Sequence, residues 1–269
     1  MDKLFELAKS VCSEANKYFL EIFSKTKPQI VKIKDANHPV YNFDIEIDAF
    51  IRKKLLTTKI QVISEESYNG EHLENIFWLV DPVDGSKEVC NKKSSTINIS
   101  LIQNGFPLFG VINDIFNSIQ YSGISKNINY SFGCFGQLVF NQKMKLITSK
   151  LHKNQDDKTF LKVNKFKNII SISSSMKFIN ISNSKFDIYS RFEGSSGWDT
   201  AAGQAIIESN GGQVLNLITL KRLSYSSNSG LRNPPFIAIR NNLRLYRFNK
   251  ETLEIKLNEI NNFSCRKRN

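Results

Sequence analysis

With 269 residues and 41% apolar side chains, the chain is long enough for one large domain or two lobes and too apolar for wholesale disorder. A formal charge of +12 would suit a nucleic-acid partner, but the lysines are scattered and the one basic run is Arg266-Lys267-Arg268. The excess therefore reads as solvated surface whose field attracts small anions, not as a nucleic-acid interface.

Leu4, Leu7, Ala8, Val11, Cys12, Ala15, Phe19, Ile22 and Phe23 recur at three- and four-residue spacing, one face of an amphipathic helix that Pro28 helps to end. Residues 30–42 read as extended and then irregular, with Asn37-His38-Pro39 as a breaker. Asp44 opens a second helix, with Ile47, Phe50, Ile51 and Leu55 facing inward. Residues 61–64 read as a short strand that runs into Glu65-Glu66. Residues 76–80 read as a buried strand that stops at Asp81-Pro82, because proline has no N–H for the ladder. Two strands thus finish in carboxylates, and if they share a sheet and a direction those acids converge at one edge. Residues 96–101 alternate polar and apolar, Asn104-Gly105 turns the chain, and residues 108–112 and 118–121 complete a meander. The first half is therefore α+β with a largely antiparallel sheet.

The lysine-rich, weakly patterned residues 141–168 suggest a lobe boundary, which divides the chain into 1–142, 143–240 and a charged extension, 241–269. Residues 169–172 form a strand ending in Ser173-Ser174-Ser175, and a helix starts at Met176. Trp198-Asp199-Thr200-Ala201-Ala202-Gly203 begins another helix, which closes at Asn210-Gly211-Gly212. Asp199 falls in its first turn, and its small residues allow a neighbour to approach closely. Residues 214–217 and 236–239 are late strands. Cys12, Cys90, Cys134 and Cys265 show neither CxxC pairing nor zinc spacing. Asp2, Lys3, Glu6 and Lys9 break any signal-peptide core, and no apolar stretch approaches the ~20 residues that span a bilayer. The expected location is the cytoplasm, with peripheral contact on the inner membrane left open.

The chain is organised around Asp81-Pro82-Val83-Asp84-Gly85-Ser86. Two acids after an apolar strand, then a glycine and a hydroxyl, suit a divalent cation and a phosphate. The glycine lets backbone N–H groups approach an anion. With Asp44, Glu65 and Asp199, five acids stand at element ends. Held close together they would raise one another's pKa unless cations joined them.

These residues resemble the inositol monophosphatase superfamily of Mg²⁺-dependent phosphatases. Asp81-Pro82-Val83-Asp84-Gly85-Ser86 resembles its DPxDGT/S motif, Ile63-Ser64-Glu65-Glu66 its upstream glutamate motif, and Trp198-Asp199-Thr200-Ala201-Ala202-Gly203 its WDxAAG motif. Within it, Trp78-Leu79-Val80, Lys87-Glu88, Ser174-Ser175-Met176-Lys177-Phe178, Tyr189-Ser190-Arg191-Phe192 and Asn233-Pro234 are most similar to bacterial CysQ-type 3'(2'),5'-bisphosphate nucleotidases. The resemblance implies a layered αβαβα sandwich of the inositol monophosphatase / fructose-bisphosphatase type, α+β in its first lobe and α/β in its second, with the active site between the lobes. It implies hydrolysis of adenosine 3',5'-bisphosphate, a by-product of sulfate activation, to AMP and phosphate.

By the same resemblance, Glu65, Asp81 and the Val83 carbonyl hold one Mg²⁺, and Asp81, Asp84 and Asp199 hold a second, with a third ion possible in the family's pattern. Such ions about 4 Å apart clamp the attacking and leaving oxygens. Gly85 and Ser86 bind phosphate through backbone N–H groups, Glu65, Val83, Asp84 and Asp199 border the substrate, and Asp44 accepts a hydrogen bond from Ser86, which orients the attacking water. Lys177 and Arg191 are candidates for the nucleotide or its second phosphate, against a plain reading as surface charge.

The chain departs from the family at Ala36, where an aspartate is usual, at Tyr41, which replaces a threonine, and at residues 89–95, which lack the usual glycine and phenylalanine. The first two bear on the outermost metal position and the third on turnover. The alternatives are an inositol-1-phosphate or sugar-phosphate phosphatase on the same scaffold, and a non-catalytic nucleotide or nucleic-acid binder. The expected partner is a small phosphate ester, with no nucleic acid, and the sequence leaves the oligomeric state open.

Overall fold

The apolar stripe at the start of the chain folds as helix α1 (Asp2–Lys25), which buries Ala8, Val11, Cys12, Ala15, Phe19 and Ile22. The structure, a computed structural model, describes residues 1–34, 38–126, 143–149, 155–193, 195–226 and 231–241. Asp35-Ala36-Asn37, Cys134, His152 and the tail from residue 242, with its basic run and Cys265, lie outside these residues.

Strands β1 (Ile30–Lys34) and β2 (His38–Tyr41) form an antiparallel hairpin. Pro39, expected to break the chain, thus sits within a strand. A two-stranded sheet leaves one side of each strand unpaired, so the missing N–H can be accommodated. Helix α2 (Asn42–Leu55) begins two residues before Asp44. Asp44 does not open it; its carboxylate reaches back to accept the Tyr41 N–H at 2.8 Å. This is half of a capping box.

The first five-stranded sheet has the order β3-β4-β5-β6-β7. Its strands are β3 (Gln61–Ser64), β4 (Ile76–Asp84), β5 (Thr96–Gln103), β6 (Phe106–Asp114) and β7 (Ile119–Ile124). Strand β3 runs parallel to β4, and the rest pair antiparallel. Between β5 and β6, Asn104 and Gly105 have φ of 52° and 76°, the left-handed pair of a type I′ hairpin turn. The expected stop of β4 at Asp81 is corrected: the strand continues to Asp84 through a register shift between Asp81 and Asp84. Pro82 lies in that irregularity, where the ladder does not need its N–H.

The second sheet has the order β11-β12-β10-β8-β9. Its strands are β8 (Lys145–Ser149), β9 (Asn168–Ile172), β10 (Ile188–Arg191), β11 (Gln213–Asn216) and β12 (Phe236–Ile239). Strand β8 pairs parallel with β9 and β10, and β12 pairs antiparallel with β10 and β11. The weakly patterned residues 141–168 contain β8 and helix α4 (Gln155–Asn164).

Five layers result. Helices α1 and α2 cover one face of the first sheet, where Trp78, Val80, Ile97 and Ile99 join Phe19, Phe43 and Ile47. Phe77 and Leu79, alternating with Trp78 and Val80, face the opposite way, toward the second sheet's Tyr189, Val214 and Phe236. That double burial is why β4 reads as one apolar run. Helices α5 (Met176–Ser182) and α6 (Ala201–Ser209) fill the layer between the sheets. Phe160 of α4 packs on the far face, with Leu146, Ile188 and Ile237. The small residues of α6 do permit close approach. A Cβ on Gly110 of β6 would lie 2.3 Å from the Ala202 carbonyl oxygen, and one on Gly203 would lie 2.2 Å from Phe178 Cγ. Among the described residues, no helix is long and apolar enough to cross a membrane.

Candidate active site

Because β3 and β4 run parallel, Glu65 emerges beside Asp81, and the Glu65 N–H donates to the Val80 carbonyl at 3.2 Å. Asp199 comes from the other half of the chain. It sits in the turn before α6, not in the helix's first turn as expected, and its carboxylate accepts the Ser196 N–H at 2.8 Å. Single carboxylate oxygens of Glu65, Asp81 and Asp199 all lie within 4.8 Å of one another. Asp81 is 1% exposed, and neither of its carboxylate oxygens has a hydrogen-bond partner. An uncompensated buried carboxylate is costly. Burial and then Glu65 and Asp84 push the Asp81 pKa well above the usual range; burial and Asp199 do the same for Glu65. Asp199 is pushed up to about 6, by burial and then Asp84. A hard divalent cation with oxygen ligands would satisfy these orphaned oxygens, so the residues present fit the metal. Asp84 stands next to this trio and hydrogen-bonds elsewhere, to the Ser175 hydroxyl at 2.7 Å. On the solvent side, Lys34 Nζ donates to the Glu65 carbonyl at 3.0 Å and pairs with Glu66 at 2.8 Å.

Ser86 Oγ lies 2.9 Å from Asp44 Oδ1 and 2.8 Å from the Val83 carbonyl. The hydroxyl has one proton for these two acceptors. Asp44 is 2% exposed, and burial pushes its pKa up to about 7 against the hydrogen bonds from Tyr41 and Ser86. Between Asp84 and Ser86 the chain turns through Gly85 at φ 90°, and the single turn α3 (Ser86–Val89) follows. A Cβ at Gly85 would lie 3.2 Å from the Ser94 carbonyl. The departing loop, residues 89–95, is held against this turn. Ser95 Oγ donates to the Gly85 carbonyl at 3.2 Å, and Ser94 Oγ meets Ser174 Oγ at 2.7 Å.

Lys177 and Arg191 are not surface charge: they are 6% and 7% exposed. Burial pulls the Lys177 pKa down to about 8, opposed by Asp84 and Asp199, and its ammonium lies 5.4 Å from the Tyr189 ring centroid. Arg191 Nε donates to the Glu193 carbonyl at 2.9 Å.

Several polar residues around the acids had no expected role. Ser175, 1% exposed, contacts Asp84, Asn98 and the Asp199 carbonyl. Asn233 Nδ2 lies 3.0 Å from Ser195 Oγ, 2.6 Å from the Ser196 carbonyl and 3.1 Å from Thr200 Oγ1, bracketing the turn that carries Asp199. The alternation of Thr96, Asn98 and Ser100 with isoleucines suggests a face toward water, yet all three are buried. The period of the pattern gives the face but not what covers it.

The chain is similar in sequence and in fold to known proteins. The family model described as the inositol monophosphatase family matches residues 1–238. The 3'(2'),5'-bisphosphate nucleotidase CysQ of Buchnera aphidicola subsp. Acyrthosiphon pisum is 36% identical over 239 residues, covering 85% of this chain and 88% of the relative. The CysQ protein of Escherichia coli K12 is 30% identical over 246 residues, covering 88% and 98%. The crystal structure of CysQ from Bacteroides thetaiotaomicron superposes with a TM-score of 0.68 at 24% identity, covering 88% and 97%. An IMPase/NADP phosphatase complexed with Mg²⁺ and phosphate superposes at 0.72 with 18% identity, covering 96% and 95%.

Proposed function

This chain belongs to the inositol monophosphatase family, and from that premise we propose that it is a Mg²⁺-dependent phosphatase that hydrolyses adenosine 3',5'-bisphosphate to AMP and phosphate. The observation that carries the reading is the buried Asp81 carboxylate, without a hydrogen-bond partner and gathered with Glu65 and Asp199. In this reading Glu65, Asp81 and the Val83 carbonyl hold one ion, and Asp81, Asp84 and Asp199 hold a second. When bound, Mg²⁺ supplies Lewis acidity that activates water and neutralises charge on the ester oxygens.

The chain's own groups do the rest. Ser86 passes its hydroxyl proton toward Asp44 Oδ1, 2.9 Å away, and so offers a lone pair to the attacking water. The left-handed Gly85 aims backbone N–H groups at the phosphate. Lys177 and Arg191 take the second phosphate, the group that distinguishes a nucleotide bisphosphate from a monophosphate. Their burial beside Asp84 and Asp199 supports that role, as do the bisphosphate nucleotidase names of the relatives. In this reading, residues 1–142 form the metal-bearing lobe, 143–240 the substrate lobe and 241–269 an extension. We place the enzyme in the cytoplasm, in keeping with the free thiols of Cys12 and Cys90.

Purified protein with Mg²⁺ is expected to release phosphate from adenosine 3',5'-bisphosphate faster than from inositol-1-phosphate, and Asp84→Asn is expected to abolish release. Equal rates on the two substrates would move the assignment to the inositol phosphatases. Release from neither above the Asp84→Asn level would reject phosphatase activity.

A further inference from the structure

Ser175 lies where three distant segments meet. Its hydroxyl is 2.7 Å from Asp84 Oδ2, 2.8 Å from Asn98 Nδ2 and 3.1 Å from the Asp199 backbone carbonyl. Both Ser175 and Asn98 are 1% exposed, so water does not substitute for these partners. A serine hydroxyl has one proton and two lone pairs, and an amide NH₂ can only donate. Asn98 therefore occupies a lone pair of Ser175 Oγ. The single proton goes to the shorter, charged acceptor, Asp84 Oδ2. Reversing the Asn98 amide would turn its oxygen toward Ser175 and add a third acceptor, beside Asp84 Oδ2 and the Asp199 carbonyl, for that one proton. The donor orientation therefore suits Ser175, and it leaves Asn98 Oδ1 buried without a hydrogen-bond partner.

We propose that Ser175 and Asn98 form a positioning relay that fixes the Asp84 carboxylate for cation binding, with the Asp199 carbonyl as the competing acceptor. The pair joins β5 of the first sheet to the residue preceding α5, so the second half of the fold helps to orient a carboxylate of the first. The bond to Oδ2 leaves Oδ1 and one further lone pair for a cation. Partners of this kind that orient a ligand typically change metal affinity by roughly 10–100-fold when removed. The inference rests on the assignment of Asp84 to the metal site and not on the choice of substrate.

Isothermal titration calorimetry of the metal-free full chain with Mg²⁺, alongside thermal denaturation without metal, tests it. Ser175→Ala is expected to weaken Mg²⁺ binding about tenfold or more, while kcat at saturating Mg²⁺ recovers most of its value. Asn98→Ala leaves the Ser175 proton free to swing to the Asp199 carbonyl and is expected to weaken binding less, in the same direction. Unchanged Mg²⁺ affinity in a folded Ser175→Ala protein would overturn the relay, even with a lowered thermal midpoint, because a purely structural serine moves the midpoint alone. Should Ser175→Ala fail to fold, Asn98→Ala decides by the same criterion. A parent protein that binds Mg²⁺ but releases no phosphate would sink the phosphatase assignment and leave the relay standing.

Discussion

Asp44 uses both carboxylate oxygens: Oδ2 accepts the Tyr41 N–H and Oδ1 faces the Ser86 hydroxyl. Asparagine keeps the shape but removes the charge that draws the Ser86 proton. Asp44→Asn should therefore lower kcat by roughly 10²–10⁴-fold, the usual range for a positioned acid–base group. Its Mg²⁺ affinity should stay close to that of the parent, since Asp44 is not a proposed ligand. Steady-state kinetics beside a Mg²⁺ titration would separate these effects, and a matching collapse of Mg²⁺ binding would refute the role. Lys177→Met keeps much of the apolar stem and removes the ammonium. A hydrogen bond to a charged group contributes about 1.5–3 kcal/mol, so KM for adenosine 3',5'-bisphosphate should rise roughly tenfold or more. Hydrolysis of a monophosphate should change little. An equal effect on both substrates would return Lys177 to a structural role.

At the scale of elements, the seam between α6 and β6 is closed by backbone against backbone. A methyl at Gly110 would fall 2.3, 2.5 and 2.7 Å from three backbone atoms of Ala202. Backbone cannot rotate away as a side chain does, so the helix would have to lift from the sheet. Gly110→Ala should destabilise by about 1–3 kcal/mol, the usual range for overpacking, read as a lower urea midpoint. Asp199 lies two residues before α6, so the same variant should also weaken Mg²⁺ binding. Unaltered stability would mean that the seam has slack the geometry does not show. The strand β4 teaches a related point. Proline in a central strand predicts a stop, but a register irregularity carries β4 past Pro82 and keeps Asp84 on the sheet. From there it can reach Ser175, while Asp81 faces Asn98 across the ladder.

The whole molecule brings its acids together at an electrostatic cost that depends on pH. Without metal, Asp44 is raised to about 7 and Asp199 to about 6, with Glu65 and Asp81 raised as well, all chiefly by burial. A carboxylate with a raised folded-state pKa adds stability that is full below its unfolded value, about 4. That stability is lost as the pH rises through about 6 to 7. The metal-free protein should accordingly show a falling thermal midpoint between pH 5 and pH 8. Mg²⁺ binds the folded, deprotonated acids, so the midpoint it restores should be larger at pH 8 than at pH 5. A Mg²⁺ shift absent at both values, in a scan that also follows Asp81→Asn, would count against this cluster as the cation site.

The sequence by itself determined the helix stripe of α1, the strand before Glu65, the turn at Asn104-Gly105, and the acid-bearing segments around residues 65, 81–86 and 199. Each is written in local periodicity or in residues with special backbone geometry. It did not show β8, α4 or β10, whose apolar positions are interrupted by lysines, asparagines and serines. Nor did it show that Asn98, Ser175, Lys177 and Arg191 are buried. Those facts depend on what packs over a face, and a polar residue reads the same whether water or a second sheet covers it. Tertiary structure alone decided the parallel pairing of β3 with β4, because local periodicity does not give a strand's direction, and the approach of α6 to β6, because those segments lie far apart in the chain. Through them, separated carboxylates meet close enough to call for a cation.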